Sequence, residues 1–170
     1  MRVSLVMTLL GPDRPGLVEA VAECVRRHDG NWLESRLARL SGHFAGILQL
    51  QLPAEQEDAF RDALRDLEKK ERLQCLISVS EAPVASGRLV TLNCIGQDRP
   101  GIVYAVSDVL AGFGVNVESF DSACVSAPMS GETLFEATLT VRLPEELDLD
   151  ALEKRLSDIG DELMLDVKMG

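Results

Sequence analysis

The sequence predicts an α+β protein built from two ferredoxin-like βαββαβ modules, each an antiparallel sheet with two helices on one face. Three observations predict it. A six-residue motif, Gly11-Pro12-Asp13-Arg14-Pro15-Gly16, returns 85 positions later as Gly96-Gln97-Asp98-Arg99-Pro100-Gly101, half the length of the 170-residue chain. At the same offset Val18, Ala20, Val21 and Asn31 fall on Val103, Ala105, Val106 and Asn116. Within each half, β-favouring runs and runs with helical spacing follow one another in the order β-α-β-β-α-β.

Each half opens on a strand, Val3 to Leu10 and Leu89 to Ile95, that stops at the glycine motif. Pro15 and Pro100 suit the first turn of the helix that follows, where a missing N–H costs nothing. Asp13 and Asp98 stand where a carboxylate can cap free amides and meet the positive helix end. Leu17, Val18, Val21, Cys24 and Val25 recur at three-to-four spacing, as do Ile102, Val103, Val106, Val109 and Leu110, so each helix has one apolar face. Gly30, and Gly112 or Gly114, end these helices.

Two strands come next in each half. Trp32 to Leu40 and His43 to Leu52 are joined by a tight Ser41-Gly42 turn, while Val117 to Val125 and Glu132 to Leu143 flank a longer loop over 126–131. Pro53 and Pro144 introduce acidic helices, Glu55 to Lys70 and Glu146 to Ile159, and Gln74 to Val79 and Leu163 to Met169 close the modules. The expected domains are 1–81 and 88–170, with the Ala-Pro-Val-Ala-Ser-Gly stretch at 82–87 as the linker.

Charge and composition narrow the function. The net charge of −11 divides unevenly, −2 over residues 1–85 and −9 over 86–170, and opposes direct nucleic-acid binding, which depends on neutralising phosphates. Aromatic residues are only 4% of the chain, too few for a sheet that stacks single-stranded bases. No apolar run approaches the ~20 residues that span a bilayer, and the first residues lack a signal-peptide pattern, so a cytoplasmic location without membrane contact is expected. The four cysteines form no CxxC pair, and each lies in an apolar stretch, which predicts buried free thiols.

Catalysis has poor material. His28 and His43 have no counterparts in the second half, and no Ser or Cys stands in a nucleophile motif. The acidic groups Glu55-Glu57-Asp58 and Glu145-Glu146-Asp148-Asp150 read as first turns of helices rather than metal ligands. No enzyme activity and no cofactor are expected. The repeated loop is the stronger signal, because a strand that turns directly into a helix presents backbone N–H groups to a carboxylate or phosphate. Gly11, Gly16, Gly96 and Gly101 shape the two loops, Arg14 and Arg99 flank them, and Asp13 or Asp98 offers a partner for an ammonium group. Asn31 or Asn116 adds hydrogen bonds to the same ligand. Ordinary capping by the aspartates and ordinary turn chemistry by the asparagines explain the same residues without a ligand.

The tandem Gly-x-Asp-Arg-Pro-Gly-[Leu/Ile]-Val motifs, each followed by a helix and an Asn at the next strand, resemble the ACT domain over essentially the whole chain. A pair of such domains with no enzyme attached is similar to the glycine cleavage system transcriptional repressor family. That resemblance implies an amino-acid-responsive regulator that binds a small amino acid such as glycine and acts through a transcription regulator protein, not on DNA. It also implies ligand contacts near Asp13, Asn31, Asp98 and Asn116. A homo-oligomer is expected, since ferredoxin-like sheets leave edge strands to pair. The alternative is a structural ACT dimerisation module without ligand, and a third reading is a small enzyme using His43 or a cysteine.

Overall fold

The computed structural model describes residues 1–80, 86–127 and 131–170. The chain divides into two compact units, Met1–Pro83 and Val84–Gly170. Residues 82–85 of the expected linker and 128–130 of the longer loop lie outside the described residues.

The first unit runs β1 (Arg2–Pro12), α1 (Leu17–Arg27), β2 (Asn31–Leu40), β3 (His43–Pro53), a short 3₁₀ turn (Ala54–Gln56), α2 (Glu57–Glu71) and β4 (Gln74–Val79). The second runs β5 (Arg88–Gln97), α3 (Ile102–Gly112), β6 (Asn116–Ser126), β7 (Thr133–Leu143), α4 (Leu149–Leu163) and β8 (Leu165–Met169). Each forms its own four-stranded sheet, ordered β2-β3-β1-β4 and β6-β7-β5-β8, with every neighbouring pair antiparallel. The expected α+β, twice-βαββαβ plan is the observed one.

Period-two alternation places the cores. In β1 Leu5, Met7 and Leu9 are buried, and in β3 Leu48, Leu50 and Leu52, while the residues between them turn to the other face. Leu17, Val21 and Val25 of α1 and Phe60 and Leu64 of α2 close this layer. Leu92 and Cys94 of β5, Leu139 and Val141 of β7, Val106 and Leu110 of α3, and Leu152 and Leu156 of α4 form a separate core in the second unit. No helix among the described residues is long and apolar enough to cross a membrane. The register of one edge strand in each sheet shifts at matching places, between Trp32 and Glu34 in β2 and between Val117 and Ser119 in β6.

The structure corrects several boundaries. β1 and β5 run through the first motif glycine instead of stopping at it: Gly11 pairs with Phe44, and Gly96 with Phe135 and Leu165. These glycines are there for packing. A Cβ on Gly11 would lie 2.5 Å from Leu73 Cδ2, and one on Gly96 2.4 Å from the Met164 carbonyl oxygen.

Asp13 and Asp98 do not cap the helices that follow. The caps are Gly16 and Gly101, at φ 87° and 96°, with no side-chain cap bond. Helices therefore begin two residues after Pro15 and Pro100. At the end of α1 the left-handed residue is Asp29 (φ 53°), not Gly30, and its counterpart in the second unit is Gly114 (φ 67°). Glycine at position 30 is required by space, because a Cβ there would stand 2.8 Å from the Val25 carbonyl oxygen.

α4 starts at Leu149, three residues later than expected, because Asp148 caps it by accepting from the Ala151 N–H at 3.0 Å. It continues to Leu163, and Met164 in the left-handed region delays β8 to Leu165. The Ser41-Gly42 turn has positive φ at both residues, 48° and 79°, as a tight two-residue hairpin demands.

Candidate functional site

The repeated loops sit at equivalent places in their units, where the end of β1 or β5 passes into α1 or α3. Backbone pairing holds each against the neighbouring hairpin: the Asp13 N–H donates to Gly42 O and the Asp98 N–H to Thr133 O, both at 2.9 Å. Gly16 and Gly101 have nothing within 4 Å of where a Cβ would be, so the helix starts face open space. The first helix amides, uncapped by any side chain, are the donors such a site offers.

The acidic and basic residues of each motif point in different directions. In the first loop Arg39 Nε, from β2, donates to Asp13 Oδ2 at 2.5 Å. Arg14 turns the other way and pairs with Glu71, a carboxylate only 6% exposed at the end of α2. In the second loop Asp98 lies near the Cys124 thiol, and its charge helps to hold that thiol protonated. Arg99 donates to Gln97 Oε1 at 3.1 Å and lies 3.4 Å from Met164 Sδ, beyond the end of α4. Arg14 and Arg99 thus tie the loops to the second helix of each unit. The aspartates lie on the side facing β2 and β6.

The asparagines are not brought to the loops within a unit. Asn31 pairs with Gln51 at the start of β2, eight residues before Arg39, a distance along the strand on the order of 25 Å. Asn116 is placed likewise, opposite Arg142, and its Nδ2 donates to Glu118 Oε1 at 3.0 Å, an oxygen that also accepts from Arg142 Nε at 2.9 Å. Arg39 on β2 and Cys124 on β6 are the neighbours of the loops that sequence reasoning missed. The signal was present in the offset of 85 that relates them, but their contact with the aspartates depends on strand register.

A hollow of about 280 Å³ opens at the first loop among Asp13, Arg14, Gly16, Glu19 and Phe44. A larger one, about 550 Å³, lies away from either loop, on the open face of the second sheet among Asn93, Ile95, Asp121, Glu136, Thr138, Asp166 and Lys168. Among the described residues no group of three or more His, Cys, Asp or Glu is arranged to hold a metal. His28 Nδ1 lies 2.7 Å from Cys24 O, and its ring meets Phe60 edge-on at 5.7 Å, which makes it part of the core margin. His43 is exposed, with Nδ1 3.3 Å from Ser41 O.

The cysteines are free, but not all are buried as expected. Cys24 and Cys94 are buried, Cys75 is half-buried, and Cys124 is exposed because it lies near the end of β6. Burial pushes the Cys94 thiol from its ordinary 9.0 up to about 11. Burial, then the Glu68 carboxylate and Cys24, does the same for Cys75. Raised thiol pKa values stabilise the fold below pH 9 and cease to do so as pH rises towards about 11, since the unfolded chain ionises first. Urea midpoints measured from pH 8 to pH 11 will therefore fall over the upper part of that range, less steeply in Cys75→Ala and Cys94→Ala chains.

ACT domain family profiles match residues 4–79 and 90–161. The chain belongs to the ACT-domain family. It is an ACT tandem whose two matches lie one in each structural unit. A UPF0237 protein of Methanopyrus kandleri is 35% identical over 77 residues, which is 45% of this chain and 79% of that protein. The crystal structure of an unknown protein from Galdieria sulphuraria superposes with a TM-score of 0.88 at 28% identity, over 99% of this chain and 98% of that one. A second crystal structure, of a protein provisionally assigned as a glycine cleavage system transcriptional repressor, superposes with a TM-score of 0.74 over 100% of this chain and 97% of that one. At 16% identity that likeness is one of fold.

Proposed function

We propose that this ACT tandem is an amino-acid-responsive regulator of the glycine cleavage repressor type, which binds a small amino acid such as glycine and acts on a transcription regulator protein rather than on DNA. The observation that carries the reading is the open helix start at Gly16 and Gly101, with uncapped amides beside an aspartate. Amides at a helix start suit a carboxylate, and a neighbouring aspartate suits an ammonium, the two ends of an amino acid. The fold shared with the repressor-type protein supports a pair of ACT domains in this role. The charge of −11 is in keeping with a protein partner.

Ligand binding would act by linkage, favouring whichever arrangement of the protein binds it better and so changing the surface offered to a partner. Calorimetric titration with glycine, serine, alanine and the branched-chain amino acids tests this, repeated on Asp13→Ala and Asp98→Ala. Saturable binding that is lost in one variant is the expected result. Silence across the panel would leave the second reading, a structural dimerisation module. That reading is favoured by the exposed apolar residues Leu10, Ile47 and Leu76 on the open face of the first sheet and by outer strands whose backbone is available for pairing.

A further inference from the structure

We propose that one shared position, Arg39 in the first unit and Cys124 in the second, decides which loop takes the ammonium group of a ligand, and that the second unit is the acceptor. This rests on the amino-acid reading above. Arg39 and Cys124 occupy the same place in β2 and β6, opposite Phe44 and Phe135. Arg39 reaches the loop aspartate of its unit, and Cys124 stands in the equivalent place near Asp98. Arg39 brings a guanidinium, Nε to Asp13 Oδ2 at 2.5 Å, and a guanidinium stays charged throughout the working pH range. Asp13 therefore already holds a tethered cation, in the place where a ligand ammonium would sit.

Cys124 brings only a thiol. Burial and the Asp98 carboxylate both favour its protonated form, so the neighbour it gives Asp98 is neutral. Among the described residues Asp98 has no ion pair, and Arg99, the nearest cation in sequence, is turned towards Gln97 and Met164. Its charge is left for an incoming amine. The two loops thus have the same backbone and opposite electrostatic states.

Space does not make this choice, since the hollow of about 280 Å³ lies at the first loop. A zwitterion entering there must displace Arg39 from Asp13 or use Glu19 on the first turn of α1. At the second loop it displaces only a thiol, and the residue in the place of Glu19 is the uncharged Tyr104. A charged pair costs more to open than a thiol contact, even when exposed, so the second loop binds first.

The test is a titration of the ¹⁵N-labelled full chain with glycine, serine, alanine and leucine in turn, following the backbone amides of Gly16 and Gly101. Saturable shifts at Gly101 without shifts at Gly16 are expected. Cys124→Arg, which copies the first unit, should weaken binding about fivefold, the upper end for an exposed ion pair, while Cys124→Ser changes it less than about twofold. Arg39→Cys should bring Gly16 into the response. Saturable shifts confined to Gly16, or a Cys124→Arg chain that binds as tightly as the parent, overturn the assignment and leave the regulator reading standing. Silence of both amides across all four amino acids overturns the regulator reading and the assignment with it.

Discussion

Replacing Phe60 by alanine will destabilise the first unit by about 3–5 kcal/mol, the usual cost of emptying a fully buried aromatic site. Phe60 lies on α2 with no exposed surface, packed in the core that β1, β3 and α1 share, and its ring meets the edge of His28. A close-packed core relaxes only partly around such a space, so the cost of the cavity adds to the lost burial. The single tryptophan makes the effect easy to read, because Trp32 packs against that same core. Urea unfolding followed by Trp32 fluorescence should shift to much lower denaturant. A transition at unchanged midpoint would mean that α2 contributes little to the unit.

The converse experiment overfills a site in the second unit. Gly96→Val is expected to cost about 3 kcal/mol, the upper part of the range for an overpacked interior. The reason is what a Cβ would meet: the Met164 carbonyl oxygen at 2.4 Å and Leu165 Cα at 2.9 Å, both backbone, in the turn that joins α4 to β8. That turn is confined from the far side as well, since a Cβ on Gly160 would lie 2.6 Å from Leu165 O. Gly11→Ala is milder, about 1 kcal/mol, because its first obstacle is the end of the Leu73 side chain at 2.5 Å and the nearest backbone atom, Arg72 O, is farther off at 3.1 Å. Far-UV circular dichroism should show an earlier unfolding phase in Gly96→Val. A variant as stable as the parent would show that the α4–β8 turn can move away from β5.

Much of the fold was legible because it depends on local rules that the chain states twice. Alternation in Leu5, Met7 and Leu9 and three-to-four spacing in Leu17, Val21 and Val25 each need only a few neighbouring residues to be read. Boundaries were less legible, since they depend on competing local devices. Asp148 captured the start of α4 three residues after Pro144 suggested it, and Met164 took a left-handed conformation that a non-glycine residue does not advertise. The motif aspartates looked like caps by position, yet a glycine cap left them free for other partners.

The site shows the same division. The repeat located both loops, the helix starts behind them and the aspartates beside them, because a duplicated backbone turn requires the same small residues in both copies. Which groups those aspartates meet was decided only in three dimensions. Arg39 reaches Asp13 across a strand whose register is set by pairing with β3, and Asn31, close to Asp13 in any list of motif residues, is carried to the far end of the same strand. Sequence patterns encode which face a side chain takes, since that repeats every two or four residues. Partners from distant strands follow from register and sheet order, which only the folded unit brings together.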